Sequence, residues 1–119
     1  MTETSVPEPL AFRVDSRDVQ GASVVEVAGE VDAHTAPTVR DAVEAAIVPG
    51  ARVIVDLSGV SFLDSTGLGV LVPSLKHLRE ADGSLDLVVT CPRVLKVFEL
   101  TGLDAVIAIH EELGALLDS

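Results

Sequence analysis

The chain has 119 residues, of which 48% are hydrophobic and 23% charged, so it fits one globular domain that can bury a core without disulfide staples. The formal net charge of −11, with only 8 Lys and Arg residues, argues against nucleic acid or an anionic membrane as partner, because both are bound through clusters of cations. The single cysteine, Cys91, excludes an internal disulfide framework and a thiolate-rich metal site.

The beginning of the chain differs in composition from the rest. Residues 1–9 contain no basic residue and no apolar run, which is not the pattern of a secretory signal. We expect them to be a disordered lead-in, and residues 10–119 to form one domain. Because no uncharged apolar run approaches the roughly 20 residues needed to cross a bilayer, we expect a cytoplasmic protein.

Alternation of apolar and polar residues predicts a β-hairpin at the start of the domain. Residues 10–15 and 23–28 each place their apolar side chains on one face, as half-buried strands do. Residues 16–22 between them are polar and contain Gly21. The two strands are therefore predicted to pair antiparallel across this turn.

A helix is predicted after the loop at residues 29–37. Thr35 can cap the helix, and Pro37 falls in the first turn, where its missing N–H costs little. Apolar residues then recur at helical spacing as far as Ile47, and Pro49 and Gly50 follow them. The predicted helix therefore ends near residue 47.

The middle of the chain reads as a strand, a polar turn and a second helix. Residues 52–57 are apolar on both faces, which predicts a central strand covered by helices. A helical stripe of apolar residues follows from residue 66 to residue 80. Pro73 lies inside it, and we expect a kink there, eased by Gly69 four residues earlier.

The last third of the chain continues the alternation of strands and helices. Residues 85–89 form the next predicted strand, reached by a right-handed crossover. Thr90 can cap a short helix that Gly102 closes. A short strand at residues 106–109 and a helix at residues 111–117 complete the α/β pattern.

Ser65 stands where the central strand-like run meets the second helix-like run. A serine at this position can be the N-cap of the helix, which contributes about 1 kcal/mol, and this end of a helix also suits an anion. From the residues alone, two interpretations remain open. Ser65 serves only as a cap, or another protein reads or modifies its hydroxyl.

Other chemistry is less well supported by the residues around Ser65. The window at residues 63–67 lacks the first glycine of a hydrolase nucleophile elbow. The pair Gly67 and Gly69 lacks the remaining features of a nucleotide-binding loop, which favours close packing of the helix on the sheet.

The remaining candidates are histidines and carboxylates. The histidines do not have the spacing of metal ligands. Carboxylates that follow predicted strands can meet at one end of a sheet, and either bind a partner or act as ordinary turn residues. These residues are His34, His77 and His110, and Asp32, Asp56 and Asp64.

Three stretches, at residues 29–37, 53–71 and 97–103, together resemble the STAS-domain anti-sigma factor antagonists. The most specific part is Asp-Ser-Thr-Gly-Leu-Gly at residues 64–69, and the likeness extends over residues 10–117. The resemblance implies a single α/β domain with a mixed sheet of four or five strands and about four helices. It also implies a bacterial partner switch in transcription regulation, in stress response, sporulation or development.

In this family the unmodified protein binds an anti-sigma factor that is also a serine kinase, and so frees a sigma factor. The kinase phosphorylates the serine after the aspartate, and a separate phosphatase reverses this. The resemblance thus implies Ser65 as phosphate acceptor, no enzymatic activity and no cofactor or metal. The implied partner-binding residues are Asp32, His34, Thr35, Asp64, Ser65, Thr66, Gly67 and Leu68. The alternative is a STAS scaffold subunit of a larger signalling or transport assembly, with Ser65 as a cap only.

Overall fold

A computed structural model of the chain describes residues 11–117, without the side chain of residue 115. The expected lead-in at residues 1–9, and residues 10, 118 and 119 of the expected domain, lie outside the described residues. Five strands form one sheet in the order β1-β2-β3-β4-β5. They are β1 Arg13–Val19, β2 Ala22–Val31, β3 Arg52–Leu63, β4 Ser84–Val88 and β5 Ala108–His110.

The sheet is mixed, because β1 pairs antiparallel with β2 while the other neighbouring strands are parallel. The helices are α1 Ala36–Ala45, α2 Ser65–Glu80, α3 Pro92–Thr101 and the five-residue α4 Leu113–Leu117, with a 3₁₀ turn at Leu103–Ala105. The predicted mixed α/β fold is therefore confirmed, with three helices of ten or more residues and one short one.

The hairpin is confirmed, but β1 begins at Arg13, later than predicted, and both strands extend closer to the turn than predicted. Val19 pairs with Ala22, so the predicted turn at residues 16–22 shrinks to Gln20 and Gly21. Both have positive φ, +54° and +85°. A two-residue turn with positive φ at both residues matches the twist of paired strands, so β1 and β2 stay paired up to the turn itself.

Strand β3 is also longer than predicted, and this difference positions the candidate site. The predicted polar turn after residue 57 belongs to the strand, which continues to Leu63. Register shifts accommodate the polar residues there, and Asp56 accepts a hydrogen bond from the backbone N–H of Ser58 at 2.9 Å. Backbone pairing with β2 therefore holds this segment extended despite its polarity.

The helices follow the prediction with small differences at their ends. Helix α1 ends at Ala45 rather than near residue 47. Helix α2 continues through Pro73, and the kink there stays a prediction. The predicted cap of α3 is wrong, because Cys91 occupies the N-cap position and the hydroxyl of Thr90 donates to the carbonyl of Ser58. Gly102 ends α3 with a φ of +77°, as expected for a glycine at this position.

The central strand β3 is buried on both faces, as predicted. Val53 and Val55 pack in the main core beneath α1, α2 and α3. Ile54 faces the opposite side and packs with Leu116 of α4. At residues 11–117, no helix is both long and apolar enough to cross a membrane.

Candidate functional site

The carboxyl ends of β2 and β3 lie side by side at one edge of the sheet. Val31 pairs with Leu63, and the backbone N–H of Asp64 donates to the carbonyl of Val31 at 3.3 Å. Asp32 and Asp64, the first residues after these strands, therefore share this edge. Asp56 does not lie with them, so its place in the predicted cluster was wrong, because β3 continues for seven residues beyond it.

Asp64, rather than Ser65, is the N-cap of α2. Its backbone is extended, with φ −103° and ψ −178°, and its carboxylate accepts from the N–H of Gly67 at 3.0 Å. Its carbonyl accepts the first helical hydrogen bond, from the N–H of Leu68 at 3.1 Å. The predicted cap at Ser65 is wrong because the longer β3 ends at Leu63, which makes Asp64 the last extended residue.

Ser65 is consequently the first residue of the helix, and its side chain is exposed. Within residues 11–117, its hydroxyl has no hydrogen-bond partner. The backbone N–H groups of Ser65 and Thr66 also lack an acceptor within this range, as is usual in the first turn of a helix. Within residues 11–117, the hydroxyl of Ser65 and two backbone N–H groups without an acceptor thus lie together at the positive end of the helix dipole.

Gly67 allows the start of α2 to press against the ends of β2 and β3. A Cβ atom at this position would lie 2.6 Å from Cδ1 of Leu63 and 2.9 Å from Cγ1 of Val31. The predicted packing role is therefore confirmed for Gly67. It is wrong for Gly69, where an added Cβ would meet nothing within 4 Å outside its own helix.

The side chains of Asp32 and Thr35 hold the loop between β2 and α1, because each accepts a hydrogen bond from the backbone N–H of the other. The Oδ1 atom of Asp32 accepts from the N–H groups of His34 and Thr35, at 2.9 and 3.1 Å. The Thr35 hydroxyl accepts from the N–H of Asp32 at 3.0 Å and donates to the carbonyl of Glu30 at 2.8 Å. Thr35 occupies the N-cap position of α1 but makes no side-chain cap bond, so its predicted capping role is wrong.

The same hydrogen bonds favour the ionised form of Asp32. The backbone N–H of Thr35, followed by that of His34, lowers the pKa of the Asp32 carboxyl below its ordinary value, because these bonds favour the ionised form. In the part of the chain that the structure describes, no Lys or Arg side chain bonds Asp32 or Asp64. The edge thus presents carboxylates that favour a cationic partner surface.

The eight predicted partner-binding residues divide by exposure. His34, Ser65 and Thr66 are exposed, while Asp32, Thr35 and Asp64 are half-buried. Gly67 and Leu68 are buried, and Leu68 is only 5% exposed. These last two residues therefore position the start of α2 and offer little side-chain surface to a partner.

Phe62 is a candidate contact residue that the pattern of the sequence did not indicate. It lies opposite Glu30 in the register and is 39% exposed, although phenylalanine in a strand is usually buried. A bulge in β3 just before it changes which face each side chain takes. Nothing in the spacing of the apolar residues reveals that bulge.

The site shows little of what metal binding or nucleophilic catalysis requires. Among the described residues, no group of three or more His, Cys, Asp and Glu side chains is placed to hold a metal ion. Across the same residues, no base is hydrogen-bonded to the hydroxyl of Ser65, which a serine nucleophile needs. The exposed hydroxyl of Ser65 and the half-buried carboxylates of Asp32 and Asp64 are the polar groups present at this edge.

Comparison with known proteins agrees with this geometry. A family model for the STAS domain matches residues 13–116. An anti-sigma-B factor antagonist from Listeria monocytogenes is 39% identical over 108 residues, which are 90% of this chain and 94% of the relative. The crystal structure of an anti-sigma factor antagonist from Mycobacterium paratuberculosis has a TM-score of 0.83 and 32% identity, covering 95% of this chain and 97% of that one. The structure of the Bacillus cell fate determinant SpoIIAA in its phosphorylated form has a TM-score of 0.65 and 28% identity, covering 89% of this chain and 96% of that one.

Proposed function

Because the chain belongs to the STAS-domain family of anti-sigma factor antagonists, we propose that it is a partner switch controlled by phosphorylation of Ser65. The unmodified protein binds an anti-sigma factor that is also a serine kinase, and this binding releases a sigma factor. The kinase phosphorylates Ser65 and ends the association, and a phosphatase restores it. In this role the protein is a binding module without catalytic activity of its own, and it works in the cytoplasm, where transcription takes place.

The observation that carries the proposal is the free hydroxyl of Ser65. A kinase needs an accessible acceptor, and Ser65 is exposed while the neighbouring Asp64 supplies the helix cap. Modification of Ser65 therefore removes no hydrogen bond that supports α2. The scaffold alternative assigned Ser65 a capping role only, and Asp64 fills that role instead.

The charges around Ser65 explain how a phosphate would act on binding. A phosphoserine adds about −1.5 to −2 charges at neutral pH, next to the carboxylate of Asp64 and on a chain of net charge −11. A dianion is costly to desolvate in an interface, and a loss of about 3 kcal/mol weakens association roughly a hundredfold.

The fold should tolerate the same phosphate. The free N–H groups of Ser65 and Thr66 can donate to its oxygens, as helix N-termini do for bound anions. The switch would therefore change affinity with little refolding. A relative solved in its phosphorylated form has the same fold, which is consistent with this expectation.

Phosphate mapping tests the acceptor. The protein is used to capture its anti-sigma factor kinase, and the pair is incubated with ATP before mass spectrometry of the peptides. We expect one phosphate, on Ser65, and none in Ser65→Ala. Thr66→Ala is the matched control, because Thr66 is an exposed residue with a hydroxyl one position away, and this variant should still carry its phosphate on Ser65. Phosphate on Thr66 alone, or on neither residue, would contradict the proposal.

A further inference from the structure

An open apolar groove lies between the second half of α2 and the segment that follows α3. Its volume is about 410 Å³. We call it the α2 groove; four apolar side chains and two cations define it, namely Val72, Leu75, Leu103 and Val106 with Lys76 and Arg79. A seventh residue, Glu80, contributes one carboxylate to the lining.

The groove exposes apolar surface that the fold does not cover. Val72 is 44% exposed and Val106 is 48% exposed, from two different segments of the chain. Single exposed valines are ordinary, but apolar side chains that converge on one concave surface with a charged rim are typical of binding sites.

Within residues 11–117, no carboxylate pairs with the cations at the rim. Four of the 8 Lys and Arg residues do pair with carboxylates of these described residues; they are Arg13, Arg17, Arg40 and Arg52. Lys76 and Arg79 have no carboxylate within 4.0 Å among residues 11–117. A hydrogen bond from the guanidinium of Arg79 to the carbonyl of Val106, at 3.0 Å, holds this cation at the rim.

We infer that the α2 groove binds an acidic amphipathic segment of a partner protein. Apolar side chains of that segment fill the space between Val72 and Val106, and its carboxylates pair with Lys76 and Arg79. The charge argument selects this occupant, because Lys76 and Arg79, which have no carboxylate within 4.0 Å among residues 11–117, outnumber the one carboxylate of Glu80 in the lining. A basic partner would meet these cations unfavourably.

The α2 groove begins about two turns beyond the residue proposed to be phosphorylated, along the same side of α2. Val72 follows Ser65 by seven residues on the same helix, which is about 10 Å along the axis. The inference rests on the residues that line the α2 groove and not on the proposed phosphorylation of Ser65, so the two are tested separately.

A labelled model peptide tests the inference directly. The probe is a fluorescein-labelled peptide of three Glu-Leu-Leu-Glu repeats, and binding is followed by fluorescence anisotropy. A peptide of three Lys-Leu-Leu-Lys repeats is the charge-reversed control. We expect saturable binding of the acidic peptide only, and backbone amide NMR shifts that move at residues 72–80 and 103–106 while residues 64–68 stay unchanged.

Variants of the groove and of α3 separate specific binding from general electrostatics. Lys76→Glu with Arg79→Glu should weaken binding at least about tenfold, which corresponds to the loss of a charge pair. Lys76→Glu alone leaves the Arg79 bond to Val106 intact, and it should still weaken binding measurably. Arg93→Glu with Lys96→Glu is the matched control, since both are exposed cations outside the groove, and it should bind like the wild type.

Several outcomes would overturn the inference. Equal losses in the two double variants would mean that charge alone attracts the peptide. Tighter binding after deletion of residues 2–10 would mean that this acidic segment of the same chain is the occupant. A concentration-dependent dimer in sedimentation velocity, abolished by Lys76→Glu, would make a second copy the occupant instead.

Discussion

The assignment of the α2 cap to Asp64 makes a quantitative prediction about two neighbouring residues. Asp64→Ala removes the acceptor of the Gly67 N–H, a bond of 3.0 Å. Loss of an N-cap typically costs about 1 kcal/mol, within a range of about 0.5–2. The lost charge at the positive end of the helix adds about 0.3–1 kcal/mol. We therefore expect the free energy of unfolding to fall by about 1–2 kcal/mol.

Ser65→Ala should behave differently, although the two residues are adjacent. The hydroxyl of Ser65 makes no hydrogen bond within residues 11–117 and is exposed. A surface substitution of this kind usually changes stability by less than about 0.5 kcal/mol. Asp64→Asn is an intermediate case, because it keeps a cap acceptor and loses only the charge.

Equilibrium urea unfolding at neutral pH measures all three variants. Each should unfold with the slope of the wild type, so that a shift of the midpoint reports stability alone. The expected order of unfolding free energy is wild type and Ser65→Ala together, then Asp64→Asn, then Asp64→Ala. A loss of more than about 1 kcal/mol in Ser65→Ala, with Asp64→Ala unchanged, would refute the assignment and restore Ser65 as the cap.

Two further stability predictions follow from the packing around α2. Gly67→Ala should lose about 1–2 kcal/mol of unfolding free energy in the same assay. The added Cβ atom would lie 2.6 Å from Leu63, and such overpacking costs about 1–3 kcal/mol, which the helix propensity of alanine partly offsets. Gly69→Ala is the control and should be neutral or stabilising, because its Cβ atom would meet nothing within 4 Å outside its own helix. The Ser74 hydroxyl donates a hydrogen bond to the carboxylate of Glu44 at 2.7 Å. This bond is the main reason why the pKa of Glu44 lies below its ordinary value of 4.5. A carboxyl group whose pKa is lower in the folded protein stabilises the fold at pH values above its unfolded pKa, and this stabilisation is lost as the pH falls through its folded pKa. Ser74→Ala should therefore lose about 1 kcal/mol at pH 7, and its difference from the wild type should shrink below about pH 4; a difference independent of pH would contradict this.

The general architecture could be predicted because it depends on periodic features. Alternating residues define β1 and β2, a doubly apolar run defines the core of β3, and the apolar stripe after residue 66 defines α2. Each signal is local and repeats over several residues, so an error at one position does not change the element.

The exact start of α2 could not be predicted, because it depends on pairing between distant segments. Asp64 and Ser65 are both good caps, and the sequence between residues 58 and 63 looks like a turn. Only the pairing of β3 with β2 as far as Leu63 decides that Asp64 is the cap. The exposure of Phe62 has the same origin, since it follows from a bulge in this pairing.

The candidate site was predicted more from resemblance than from pattern. The stretches at residues 29–37 and 64–69 placed Asp32 and Ser65 in the candidate site, and both lie at one edge of the sheet, while the predicted cluster wrongly included Asp56. The predicted role of Ser65 as a cap was wrong for a physical reason that favours the proposed function. A serine that is not needed by the helix is free to carry a phosphate.

The central claim is that phosphorylation of Ser65 controls partner binding without unfolding the protein. The most direct test compares the affinity of the captured anti-sigma factor kinase for the unphosphorylated and the Ser65-phosphorylated protein by titration calorimetry. The account predicts roughly hundredfold weaker binding after phosphorylation, with the free energy of unfolding changed by less than about 1 kcal/mol. Equal affinity of the two forms, or loss of binding only through unfolding, would contradict it.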